Sequence, residues 1–171
     1  MAATPSSHRA TQAHELLRLS YRDALALFAE LPAPTMAEMS GEYRAELLDQ
    51  GPAVFTWIAM WAVHLKGRWL AKAFNPESPD AGRGYNVFVI GERVVRGTRM
   101  RTQVGPSQHD GRPAYQLDYS ADNRGWMATM RDEVRRVAPG LYLGLGVVGY
   151  GRLMRRPAPF LMEGPVAPFV D

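Results

Sequence analysis

Two ionisable residues interrupt stretches that otherwise read as apolar faces. Asp132 falls between Met130 and Val134, and Arg96 falls between Val94 and Thr98. A carboxylate on an inward strand face must pair, hold a proton or touch water, because burying it alone is costly. Paired with Arg96, Asp132 would be a structural ion-pair residue. Desolvated beside a ligand, it would be a general acid or base. A slip of one residue reverses the face and turns Arg131, Glu133 and Arg135 inward, which makes Glu133 the substitute acid or base. Tyr115 and Tyr119 join the catalytic candidates, as phenols able to orient an oxygen of a bound molecule.

The same faces carry a set of large side chains. With mixed strands closed into a barrel, the interior lining is Tyr43, Leu47, Trp69, Tyr85, Met100, Tyr115, Leu117, Tyr119, Met130 and Val134. An eight-stranded barrel either fills itself with side chains or holds one small ligand. Rings with polar tips suit a pocket that grips an apolar molecule and orients a few oxygens. They are also ordinary core residues.

Other motifs have plainer readings. Asp118, Asp122 and Asn123 cluster at a strand end, where such residues usually bond their own backbone in turns. His109 sits in a Gln108-His109-Asp110-Gly111 turn, and His64 ends an apolar run. The string Gly144-Leu145-Gly146-Val147-Val148-Gly149 matches GxGxxG. It lies within a strand-like segment and no amphipathic helix opens at Tyr150-Gly151-Arg152, so it is no dinucleotide fingerprint. Its glycines fit strand bending or close backbone approach.

Composition narrows the classes. The chain has 171 residues, 46% hydrophobic and 22% charged, which suits one globular domain. With no cysteine, disulfides, thiol nucleophiles and thiolate metal sites are excluded. The four histidines are far apart and match no zinc-ligand spacing, so no metal or other cofactor is expected. Arginine supplies 18 of the 20 basic residues, but it is interleaved with acids and net charge is only +3. The one tight basic cluster, Arg152, Arg155 and Arg156, is too small to track a nucleic acid, so none is expected as a partner. The longest uncharged apolar run, Ala53 to Leu65, is too short for a bilayer span of roughly 20 residues. No integral membrane segment is expected, no leader is apparent, and a cytoplasmic location is the default.

The elements that must position these residues follow from periodicity. Thr11 to Leu31 is apolar at helical spacing and stops at Pro32, with one more short turn near Thr35 to Met39. Residues 1–40 are thus a helical extension, and 41–171 the barrel domain. Residues 42–47 alternate with Tyr43, Ala45 and Leu47 on one face, and residues 68–74 alternate with Trp69, Ala71 and Ala73 together. Strands also fit residues 85–90, 94–104, 113–120, 141–148 and 160–162, with a turn at His109-Asp110-Gly111. Residues 126–137 fit a helix or a strand. Residues 53–65 could be a core helix, a lid whose Trp57 and Trp61 close over a ligand, or an exposed patch that pairs two copies as a homodimer or rests on a membrane surface.

Met39-Ser40-Gly41-Glu42-Tyr43-Arg44-Ala45 resembles the Met-x-Gly-x-Trp-x-Gly strand of the GXWXG family of small bacterial proteins. The resemblance extends through Leu27 to Pro32 and Asp49 to Gly51, with fainter parallels at Gly67 to Phe74, Arg135 to Val137 and Leu141 to Gly144. About half the chain is covered in patches; Tyr43 replaces the family's Trp and Ala45 its second Gly. The resemblance implies a mainly β, lipocalin-like (calycin-type) antiparallel β-barrel after the helical extension. It favours strand–turn–strand over residues 127–148 and assigns no catalytic residue.

The expectation is binding of a small, largely apolar organic molecule in the barrel. Ligand contacts are expected from Tyr43, Trp57, Trp61, Trp69, Tyr85, Arg96, Met100, Leu117, Met130 and Val134. Such a protein could be a cofactor-independent cyclase or isomerase of a polyketide- or terpene-like intermediate, a carrier or sensor, or an interaction module using residues 53–65.

Overall fold

A computed structural model describes residues 5–149 and 156–171, the side chains from residue 9 onward. Eight antiparallel strands run in chain order and close into a barrel: β1 Gly41–Leu47, β2 Arg68–Pro76, β3 Gly82–Ile90, β4 Arg93–Pro106, β5 Pro113–Asp118, β6 Arg131–Ala138, β7 Leu141–Val147 and β8 Ala158–Ala167. Pairing of β8 with β1 removes both sheet edges. Two helices precede the barrel, α1 Pro5–Leu16 and α2 Tyr21–Glu30, and a third, α3 Ala53–His64, connects β1 to β2.

The helical extension is two helices rather than one. The chain breaks after Leu16 because Ser20 caps a new start, its hydroxyl accepting from the Asp23 amide. Both helices lie on the outer wall of the barrel, where Leu141, Leu143, Leu145 and Leu161 pack against Leu16, Ala24 and Phe28. The following 3-10 turn, Met36–Glu38, has a capping box between Thr35 and Glu38 and packs Met36 and Met39 against the interior cluster at one end. That end is filled by Tyr43, Phe74, Met100, Tyr115, Val134, Tyr142 and Met162.

Strand bounds differ modestly from the sequence reading. Arg83 and Gly82 already belong to β3, and β8 is longer than three residues. The ambiguous residues 126–137 divide into a 3-10 turn, Gly125–Thr129, followed by β6. Along β7 the leucines face the helices while Tyr142, Gly144 and Gly146 face inward, so both faces are covered. Gly144 is required by close approach: a Cβ there would run into the Phe160 ring. Gly144→Ala is therefore expected to lower unfolding free energy by about 1–3 kcal/mol through overpacking, read by urea denaturation. An unchanged midpoint would mean that Phe160 moves freely.

Candidate functional site

The end of the barrel opposite the Met36–Glu38 turn is not filled. A cavity of about 140 Å³ lies there, bounded by the strand ends, the Gly125–Thr129 turn and α3. A void of this size accommodates roughly one benzene ring. Helix α3 turns Phe55, Ile58, Ala59, Ala62 and Val63 toward it, a stripe at helical spacing. The walls are Leu47, Trp69, Phe88, Met130 and Phe160, and the polar groups on them are Lys72, Asn86 and Asp132 with Gln50 and Arg156.

Lys72, Asp132 and Tyr119 form a buried cluster. The Lys72 ammonium donates to Asp132 Oδ2 at 2.7 Å, to the Tyr119 hydroxyl at 2.7 Å and to Asn86 Oδ1 at 3.0 Å. Tyr119 in turn donates to the same Asp132 oxygen at 2.8 Å. Asn86 is held by Trp69 Nε1, which donates to its Oδ1, and by the Thr98 carbonyl, which accepts from its Nδ2. The rings of Trp69, Tyr119 and Phe160 stand 5.1–5.4 Å from Nζ, a cation-π box around the amine. Asp132 Oδ1 lies on the side of Gly146, where an added Cβ would come within 2.9 Å of it.

Burial pulls the Lys72 amine below its ordinary range, and the Asp132 carboxylate pulls the other way. Burial and the same carboxylate push the Tyr119 phenol well up, so it stays a donor at neutral pH. The arrangement can hold or move a proton between amine, phenol and carboxylate at the wall of an apolar chamber. Backbone irregularities frame it. β2 shifts register between Trp69 and Ala71, β4 shifts opposite Gly84 and Asn86, and Thr98 has φ 52°, a costly conformation for a β-branched residue.

The residues expected from sequence separate into three groups. Asp132, Tyr119, Trp69 and Met130 meet at the cavity or its polar cluster. Tyr43, Met100, Tyr115, Leu117 and Val134 point inward but are packed core. The Tyr43 hydroxyl donates to the Glu38 carbonyl at 2.8 Å, and burial pushes its phenol up to about 12. Tyr115 donates to Thr102 Oγ1 at 2.9 Å, its phenol also raised by burial.

The remaining expectations are corrected. Glu133 faces outward, since Asp132 takes the inward register; it is buried beneath the β4–β5 loop, accepting from Ser107 Oγ and the Gln108 amide. Tyr85 also faces outward, because Gly84 and Asn86 hold the inner positions of β3; it packs on Phe169 and donates to Glu42. Arg96 pairs with that Glu42 at 2.8 Å rather than with Asp132. Trp57 is 68% exposed on the far face of α3, and Trp61 turns from the cavity onto Trp126.

The plainer readings fare differently. Asp118 and Asn123 make turn hydrogen bonds, to Ser120 and to the Arg99 and Tyr119 carbonyls. His64 Nδ1 accepts from the Trp69 amide and His109 packs edge-on against Phe28. Arg152 and Arg155, with Tyr150 and Gly151, lie outside the described residues, whereas Arg156 stacks between Tyr21 and Phe55 at the cavity rim. Among the described residues no cluster of His, Asp and Glu could hold a metal, and no helix is long and apolar enough to cross a membrane.

Lys72 and Asn86 are the site residues that sequence reasoning missed. Both were legible only as members of alternating strands. One signal was available: the chain has just two lysines, Lys66 and Lys72.

No protein-family model and no curated protein matches the chain. A crystal structure of a protein from Thermomonospora curvata is similar, with a TM-score of 0.60 and 14% identity over 94% of this chain and 98% of that one. At that identity the likeness shows the fold.

Proposed function

We propose that the barrel binds a small, largely apolar organic molecule with an oxygen at one end, and acts on it as a cofactor-independent isomerase or cyclase. The observation that carries this is a buried, hydrogen-bonded Lys72–Asp132–Tyr119 cluster whose Lys72 and Asp132 line a largely apolar cavity. A core-only role would favour apolar packing, since a buried ion pair is seldom the more stable choice. The cavity supports a ligand body of about one ring, as in a small terpene-like or aromatic carbonyl compound. Its oxygen would meet Lys72, which Tyr119 backs from behind, while Asp132 exchanges a proton with the neighbouring carbon. We also place the chain with the lipocalin-like barrels and the GXWXG family, a reading supported by the Gly41–Ala45 strand after a leading helix.

That the three polar groups satisfy one another favours one alternative, a carrier that offers them only as hydrogen-bond partners. Native mass spectrometry of freshly purified protein, followed by solvent extraction, would test ligand binding. A stoichiometric apolar adduct, lost when Ala59→Trp fills the cavity, is the expected result. An adduct that survives Ala59→Trp would place binding elsewhere and overturn the proposal. With the ligand in hand, turnover lost in Asp132→Asn with binding retained selects the enzyme, and unchanged protein-bound ligand selects the carrier.

A further inference from the structure

Lys72 is more than a cation. It is one of two lysines in a chain that uses arginine at its 18 other basic positions. It is 3% exposed, whereas Lys66 lies at the surface. An arginine would satisfy a carboxylate by a two-bonded fork and never lose its proton; a lysine amine can do so and become a nucleophile. Its Nζ sits within 2.7 Å of both a base, Asp132, and a phenol donor, Tyr119. The chamber beside it is lined largely by apolar side chains, among them Trp69, Phe160, Phe88 and those of α3.

We propose that Lys72 forms an imine with an aldehyde or ketone carbonyl of the bound molecule, which makes carbonyl compounds the substrate class. This rests on the ligand-binding reading above. Asp132 first accepts a proton from the ammonium, giving a neutral amine and a carboxylic acid. The nitrogen lone pair attacks the carbonyl carbon, the C=O π bond opens, and a proton passes from nitrogen to oxygen through the Tyr119 hydroxyl. Asp132 then returns its proton to the carbinolamine oxygen, which leaves as water while nitrogen forms the C=N bond. The product is a protonated imine beside an ionised Asp132, so charge and atoms balance. The iminium acidifies the adjacent C–H, and Asp132 is the base placed to take that proton. Isomerisation or ring closure through an enamine needs no cofactor beyond this.

The test uses benzaldehyde and sodium cyanoborohydride on the full chain, followed by intact mass and peptide mapping. In parallel, benzaldehyde binding without reductant is followed by titration calorimetry in wild type and Ala59→Trp. The expected result is reductive alkylation at Lys72 roughly tenfold faster than at Lys66 or the N-terminal amine, reversing the order of exposure. Lys66→Arg should leave that rate unchanged, and Asp132→Asn should slow it at least roughly tenfold. Cavity-dependent binding with alkylation confined to Lys66 and the N-terminus would overturn the imine and leave the pocket standing. No cavity-dependent binding, with Lys72 inert, would overturn both.

Discussion

Lys72→Met is expected to cost about 3–5 kcal/mol of unfolding free energy, and Lys72→Met with Asp132→Leu is expected to return most of that loss. The asymmetry follows from what each change leaves behind. Removing the amine alone strands a carboxylate that is 4% exposed, with Tyr119 as its remaining hydrogen-bond partner. Removing both charges leaves an apolar gap among Trp69, Phe88, Met130 and Phe160, which apolar side chains of similar volume can fill. Tyr119 then loses its acceptor and retains Asn86, a smaller cost of about 1 kcal/mol. Urea denaturation of the three proteins at neutral pH checks this. A double variant as stable as wild type, yet unable to alkylate or turn over a carbonyl compound, would show that the pair is kept for chemistry. If Lys72→Met were as stable as wild type, the electrostatic account of the site would be wrong.

How much of this site was legible depends on where period-two reading held. It held on β5 and β6, where Tyr115 and Leu117, with Tyr119 just past the end of β5, then Asp132 and Val134, all face inward. On β2 it failed for a definite reason. Strict alternation from Trp69 puts Ala71 and Ala73 inside and Lys72 outside, but the ladder slips beside Leu70. That irregularity sends Trp69, Lys72 and Phe74 to one face, and a bulge of this kind leaves no mark in hydrophobicity. On β3 the inner positions Gly82, Gly84 and Asn86 are small or polar, so the apolar Tyr85 and Val87 looked like the core face. Their outward burial comes from the C-terminal segment, with Phe169 covering Tyr85.

The closed antiparallel barrel was legible because regular short strands and a helical lead-in constrain topology more than any single side chain does. Residues 53–65 illustrate the opposite case. They are apolar on every side, so the pattern left a core helix, a lid and an exposed patch all open and did not say which side faced inward. The inner stripe is Phe55, Ile58, Ala59, Ala62 and Val63, while Trp57, Met60 and Trp61 remain on the outer face. Size pointed to the tryptophans; helix phase selected the alanines.

Arg135→Lys is expected to destabilise the protein by about 3–5 kcal/mol, although it keeps the charge. Arg135 is 0% exposed and lies on the outer face of β6 beneath α2. All five of its N–H groups have acceptors: Nε on the Pro113 carbonyl, Nη1 on the Phe28 carbonyl and Asp110 Oδ2, and Nη2 on Asp110 Oδ1 and the Arg112 carbonyl. Its guanidinium also lies 4.5 Å from the Phe28 ring centroid. A lysine has three donors and no planar fork, so it cannot replace these contacts, and the end of α2 and the β4–β5 loop lose their shared anchor. The same contact sets an acid limb. The Arg135 hydrogen bond, against a smaller opposing effect of burial, holds the Asp110 carboxyl down at about 2 from 3.8. A depressed carboxyl stabilises the fold above its unfolded value and loses that contribution as pH falls through its folded value. Wild type should thus lose about 1–2 kcal/mol between pH 4 and about 2 from this group, allowing for its partial exposure. Asp110→Asn should flatten that limb. Urea midpoints measured across this range for wild type and both variants decide the matter; an acid limb unchanged in Asp110→Asn would assign it to other carboxylates.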